Sequence, residues 1–153
     1  MNRIINYTLL FFLFLLSSCA YEPILNKKNY EFSINIDKIN GDHKINSIIV
    51  NNFYNLKDKE KKYDLTISSI KEKNIISKDS KGDPSIFELQ INVNYSVKKD
   101  GKTLIVNKIN RKATYNNITD KFELENYEKN IINNLSTNIS DKIINSISEI
   151  HEW

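Results

Sequence analysis

Phe87-Glu88-Leu89-Gln90-Ile91-Asn92-Val93-Asn94-Tyr95-Ser96-Val97 alternates apolar and polar residues without a break. Successive side chains of a β-strand point to opposite faces, so period two over this length gives one apolar and one polar face. The stretch reads as a half-buried strand, and its neighbours must complete the core it lines. Downstream comes Lys99-Asp100-Gly101-Lys102. Asp-Gly supplies the positive φ values that a tight hairpin turn demands. Leu104 to Tyr115 therefore returns as the antiparallel partner. A two-residue turn places Leu104 opposite Val97 and Val106 opposite Tyr95. The apolar phase then moves to Ile109, Ala113 and Tyr115, and a bulge near Asn107 or Lys108 accounts for the shift.

Working back from Phe87, Ser77 to Pro84 is polar, contains Gly82, and reads as a loop. Tyr63, Leu65 and Ile67 alternate as another strand, which continues towards Ile75 with its phase disturbed. The mixed-charge run Lys57 to Lys62 before it is a solvated loop. Ile45, Ile48, Ile49, Phe53 and Leu56 share one helical face, so a helix runs from about His43 to Leu56, with Asp42 as its N-cap. Phe32, Ile34 and Ile36 form the first strand, ended by Asn40-Gly41. Beyond the hairpin, Asn116 to Lys121 is a loop. A long helix follows from about Leu124 to Ile150. Tyr127, Ile131, Leu135, Ile139, Ile143, Ile147 and Ile150 form its stripe, widened by Ile132 and Ile144. Steps of four overshoot the helical repeat, so the stripe creeps around the axis, as suits a helix laid over a twisted sheet. The fold class is α+β. It is a two-layer sandwich with a four-stranded mixed sheet and two helices on one face, in the order β-α-β-β-β-α. The first three elements make a crossover unit, right-handed if its strands are parallel. The other face of the sheet is polar and free to meet a partner.

The N-terminus has a different chemistry. Arg3 precedes the apolar run Tyr7 to Leu16, which is too short to span a bilayer and has the form of a secretory signal. It ends in Leu16-Ser17-Ser18-Cys19, an apolar residue, two small ones and a cysteine. This resembles a bacterial lipobox, in which the thiol takes a diacylglyceryl group as a thioether before cleavage in front of it. Cys19 is the only cysteine, so no disulfide competes for it. Residues 1–18 are thus the lipoprotein signal, 19–29 a lipidated tether with Pro23, and 30–153 the domain. Several acyl chains anchor a protein stably where one does not. Ala20, in place of Asp, favours the outer membrane over retention in the inner one.

The whole chain carries 22 Lys and Arg against 19 Asp and Glu. Loss of the signal removes only Arg3, leaving 21 against 19 in the mature chain. So near a balance gives no basic field for nucleic acid. Heavy use of Asn, Ile and Lys reflects genome composition, and triplets such as Asn94-Tyr95-Ser96 are accidents of it in a chain with a lipobox. Catalytic constellations are missing. His43 and His151 lie at a helix start and at the C-terminus, and Gly41, Gly82 and Gly101 are isolated turn glycines. No carboxylate pair is set for acid–base work and no spacing suggests a metal. The expectation is a non-enzymatic protein without cofactor or metal. Lys98, Lys99 and Lys102 crowd the hairpin tip, with Arg111 and Lys112 further along the returning strand. Such a tip can meet the phosphates of lipopolysaccharide. Equally, lysines at a hairpin tip and edge prevent strand-to-strand aggregation.

Several stretches together resemble the lipopolysaccharide-assembly lipoprotein family LptE, in its alphaproteobacterial form. They are the lipobox with Tyr21 and Pro23, Val93-Asn94-Tyr95-Ser96-Val97, the Asp100-Gly101 turn with Thr103-Leu104, Ala113-Thr114-Tyr115-Asn116, and the helix Tyr127 to Ile147. Ile and Asn stand where that family uses alanine in its helices. The resemblance implies a lipid-anchored protein on the periplasmic side of the outer membrane, plugging the lumen of a large β-barrel, LptD, and binding lipopolysaccharide in transit. The alternative is a periplasmic lipid- or glycolipid-binding lipoprotein of another envelope transport system.

Overall fold

The structure, a computed structural model, describes residues 30–151, with side chains through Ile150. The signal (1–18), the tether (19–29) and Cys19 lie outside the described residues. The order is β1 (Phe32–Gly41), α1 (His43–Asn52), a 3-10 turn (Tyr54–Leu56), β2 (Lys61–Lys78), β3 (Pro84–Lys99), β4 (Lys102–Asn116) and α2 (Lys121–His151). The sheet runs β1-β2-β3-β4, with β1 parallel to β2 and the other neighbours antiparallel. This is the expected α+β sandwich, with four strands in a mixed sheet and both helices packed on one face.

Alternation decides which face is covered. From β3, Leu89, Ile91, Val93, Tyr95 and Val97 are buried together with Leu65 and Ile67 of β2 and Phe32 and Ile34 of β1. Ile45 and Ile49 of α1 and Ile139, Ile143 and Ile147 of α2 close the same cluster, each fully buried. Removing one such isoleucine side chain from a core costs about 2–5 kcal/mol. The helix ends are fixed locally. Asp42 Oδ1 accepts from the Ile45 amide at 3.1 Å, as expected of an N-cap, and Asp120 Oδ1 accepts from the amides of Phe122 and Glu123 at 2.8 and 2.9 Å.

Four details depart from the sequence reading. First, the β3–β4 register shift falls at the tip. Val97 pairs with Ile105 and Tyr95 with Asn107, and the irregularity lies between Val97 and Lys98, leaving Leu104 as the extra residue. This early bulge puts Ile105, Ile109, Ala113 and Tyr115 on the covered face in one unbroken phase and turns Val106 outward. Second, β2 pairs with β3 well past Ile67, and the turn shrinks to residues 79–83, held by Asp79 Oδ1 accepting from the amides of Lys81 and Asp83, each at 2.9 Å. Third, α2 starts earlier, at Lys121, and buries Ser136 and Ser140 while Tyr127 is 47% exposed. Small residues let α2 approach α1, where Asn52 Nδ2 donates to Ser140 Oγ at 2.9 Å. Fourth, α1 ends at Asn52, and the 3-10 turn after it still delivers Leu56 to the core.

The far half of the covered face is held by polar contacts. Glu128 of α2 accepts from Lys73 Nζ at 2.6 Å and from Tyr115 Oη at 2.7 Å. Lys73 Nζ also sits 4.2 Å from the centroid of the Phe87 ring. Burial alone would raise the Glu128 carboxyl, but the hydrogen bonds from Lys73 and Tyr115 outweigh it and hold the group below the usual carboxylate range. Burial first, and then the carboxylate, push the Tyr115 hydroxyl well above its ordinary value.

Candidate functional site

Both helices cover one face of the sheet, which leaves the opposite face open. Its residues follow from register. Asp64, Thr66, Ser68, Ile70 and Glu72 of β2 lie beside Lys98, Ser96, Asn94, Asn92 and Gln90 of β3. Lys108, Asn110 and Lys112 of β4 lie on the other side of β3, opposite Asn94, Asn92 and Gln90. The centre is amides and hydroxyls around one apolar residue, Ile70, which is 53% exposed. Asn110 Nδ2 donates to Asn92 Oδ1 at 2.7 Å, so neighbouring amides form a short ladder across two strands. Charges sit around that centre and several are tied down. Lys112 pairs with Glu88 at 3.0 Å, Asp64 accepts from Asn35 Nδ2 at 3.4 Å, and Asp37 accepts from Thr66 Oγ1 at 3.3 Å. A shallow depression of about 560 Å³ crosses the middle, lined by Thr66, Ser68, Asn94, Ser96, Val106 and Lys108. Val106 projects from this face, 78% exposed.

A mainly polar centre with two exposed apolar side chains, Ile70 and Val106, and a charged margin has the layout of a non-obligate protein interface. Its size fits as well. Four strands at ~4.8 Å spacing and ~3.3 Å per residue cover on the order of 800 Å², the share each partner contributes to a standard interface.

The hairpin tip is built by Asp100 and Gly101 at φ 50° and 78°. Lys99 pairs across with Lys102, and Lys98 with Thr103. Lys98 neighbours Asp64 on the open face, whereas Lys99 Nζ lies 5.8 Å from the centroid of the Tyr63 ring. Three lysines therefore share the tip, as the sequence places them. Arg111 and Lys112 do not join them. From Lys102 to Arg111 is roughly 30 Å along β4 at ~3.3 Å per residue. The two also point to opposite faces, Lys112 towards Glu88 on the open face and Arg111 on the helix side, where its Nη1 donates to the Asn110 carbonyl at 3.0 Å.

The polar centre, with Asn92, Asn110, Ser68 and Val106 as its members, was not singled out residue by residue from the sequence. The signal was the polar half of the β3 alternation, but naming the partners on β2 and β4 needed their registers. Among the described residues no three His, Cys, Asp or Glu side chains converge as a metal site, and no helix is long and apolar enough to cross a membrane.

No protein-family model matches the chain, and no curated protein matches it. Solved structures do. Rare lipoprotein B from Shewanella oneidensis superposes with a TM-score of 0.57 at 14% identity, covering 76% of this chain and 99% of that one. Lipoprotein B from Nitrosomonas europaea, described as uncharacterized, gives a TM-score of 0.57 at 14% identity, covering 82% of this chain and 90% of that one. At such identity the likeness is one of fold.

Proposed function

We propose that this chain is a non-enzymatic lipoprotein subunit of the lipopolysaccharide translocon. In this reading it is lipid-anchored at Cys19 to the periplasmic side of the outer membrane and seated as plug and assembly partner in an LptD-type β-barrel. The observation that carries the proposal is the open sheet face, polar at its centre and of interface size. A water-filled barrel has a polar interior, and such a face meets it without exposing a core. The lipobox and the LptE resemblance read from the sequence support the proposal. So does the fold shared with two lipoproteins. Lysines 98, 99 and 102 supply point charges for lipopolysaccharide phosphates at the tip, while Lys112 is already engaged by Glu88.

Depletion of the protein is expected to stop newly made lipopolysaccharide reaching the cell surface, read by surface labelling. Normal surface lipopolysaccharide with loss of another envelope lipid would instead favour the glycolipid-binding lipoprotein of a different transport system.

A further inference from the structure

We propose that the segment Tyr54–Lys62 is a second membrane contact, laying Lys57, Lys61 and Lys62 on the phosphate headgroups of anionic phospholipids in the leaflet that holds the anchor. The proposal rests on Cys19 being the lipid attachment point.

Geometry brings this segment to the membrane. Eleven peptide steps lead from Cys19 to Tyr30, where the described chain begins. Fully extended they reach at most about 38 Å. β2 alone, 18 residues long, runs about 60 Å at ~3.3 Å per residue. The tether therefore keeps the end of the sheet at which β1 starts within about 38 Å of the leaflet, while the far end is free to stand further off. At that end Phe32 and Ser33 pair with Lys61 and Lys62. The loop is clipped in place there. Buried Ser33 donates its hydroxyl to the Lys59 carbonyl at 2.9 Å and accepts from the Lys59 amide at 3.2 Å.

Charge and ring chemistry point the same way. Lys57, Lys59, Lys61 and Lys62 are exposed and face only Asp58 and Glu60 within the segment. That excess of two equals the excess of the whole mature chain, 21 cations against 19 anions. Glu31, Asp64 and Asp100 flank the segment, and Lys98, Lys99 and Lys102 of the neighbouring tip offset them. Among the described residues four ion pairs form, through Lys71, Lys73, Lys112 and Lys129, and none uses a lysine of this end. Tyr54 is 68% exposed, with Lys57 Nζ 4.5 Å from its ring centroid. A tyrosine beside a lysine, both in solvent, is suited to the headgroup layer, where ring and ammonium each find a medium. Lysines near an anionic bilayer surface add to acyl anchoring, and their contribution falls off within a Debye length.

The test uses the mature chain with Cys19→Ser, so that no acyl group drives binding. Its probes are vesicles containing phosphatidylglycerol and vesicles of phosphatidylcholine alone, read by co-sedimentation. Binding is expected only to the phosphatidylglycerol vesicles and is lost at high salt. Lys57→Ser, Lys61→Ser and Lys62→Ser together lower it on the order of a hundredfold. Lys78→Ser, Lys81→Ser and Lys121→Ser, at the far end, leave it unchanged. Equal binding to both vesicles, equal loss in both triple variants, or a loop effect seen only with lipopolysaccharide micelles overturns the proposal. Palmitate labelling of the unaltered chain reports on Cys19 separately, so a failed anchor and a failed headgroup contact are distinguishable.

Discussion

Gly41→Ala is expected to destabilise the domain by about 3 kcal/mol or more, a fall in Tm on the order of 10 °C. Gly41 has φ of +91°, where an L side chain is strained by about 1–2 kcal/mol. The larger part is steric. A Cβ there would lie 1.9 Å from the Ser69 carbonyl oxygen and under 3 Å from Ser69 C and N. Those are backbone atoms of β2, and no rotamer change relieves them. Gly41 pairs with Ser69 at the last position of the parallel β1–β2 ladder. The next residue depends on the same place: the Asp42 amide donates to Ser69 O at 3.2 Å, and Ser69 Oγ donates to Asp42 O at 3.3 Å. An alanine must push β1 off β2 where the chain leaves the sheet for α1, whose N-cap is Asp42. Gly82→Ala provides the comparison. Its φ is +90°, but no atom lies within 4 Å of the added Cβ, so only the conformational cost of about 1–2 kcal/mol remains. Thermal denaturation of the two variants measures the difference. Equal, small losses would contradict the β1–β2 register.

Cys19→Ala is expected to abolish lipidation, leaving a chain that takes up no labelled palmitate and keeps residues 1–18. In the proposed reading the thiol is the attachment atom, and no other cysteine can replace it, so the effect is all or none. Alanine preserves the small, apolar character of the site, so failure to process would trace to the missing sulfur. Electrophoretic mobility and palmitate incorporation read both consequences at once. Continued labelling of the variant would refute the lipobox reading.

The elements most legible in the sequence were those whose burial follows a simple period. β3 is paired on both sides and covered on one face, so its alternation runs unbroken from Phe87 to Val97, and Asp100-Gly101 closes it with the φ values that dipeptide provides. The register of β4 was less legible. Leu104 and Val106 are apolar and invite an inward reading, yet they are 41% and 78% exposed because one extra residue at the tip reverses their sides. The length of β2 was hidden for a related reason. Beyond Ile67 its covered positions are Ser69, Lys71 and Lys73, and polar partners replace apolar packing. Lys73 finds Glu128 across 55 positions of sequence, a pairing that no local period can show. In α2 the buried Ser136 and Ser140 interrupt the isoleucine stripe where the helices approach. The basic cluster was legible only in part. Lys98, Lys99 and Lys102 are brought together by a turn of two residues, whereas Arg111 and Lys112 belong to an extended strand that carries them away.

The most direct measurement is purification of the tagged full-length chain from detergent-extracted envelopes, with identification of whatever accompanies it. A stoichiometric outer-membrane β-barrel of the LptD type is the result predicted. Recovery of the chain alone, repeatedly and under mild extraction, would contradict the account.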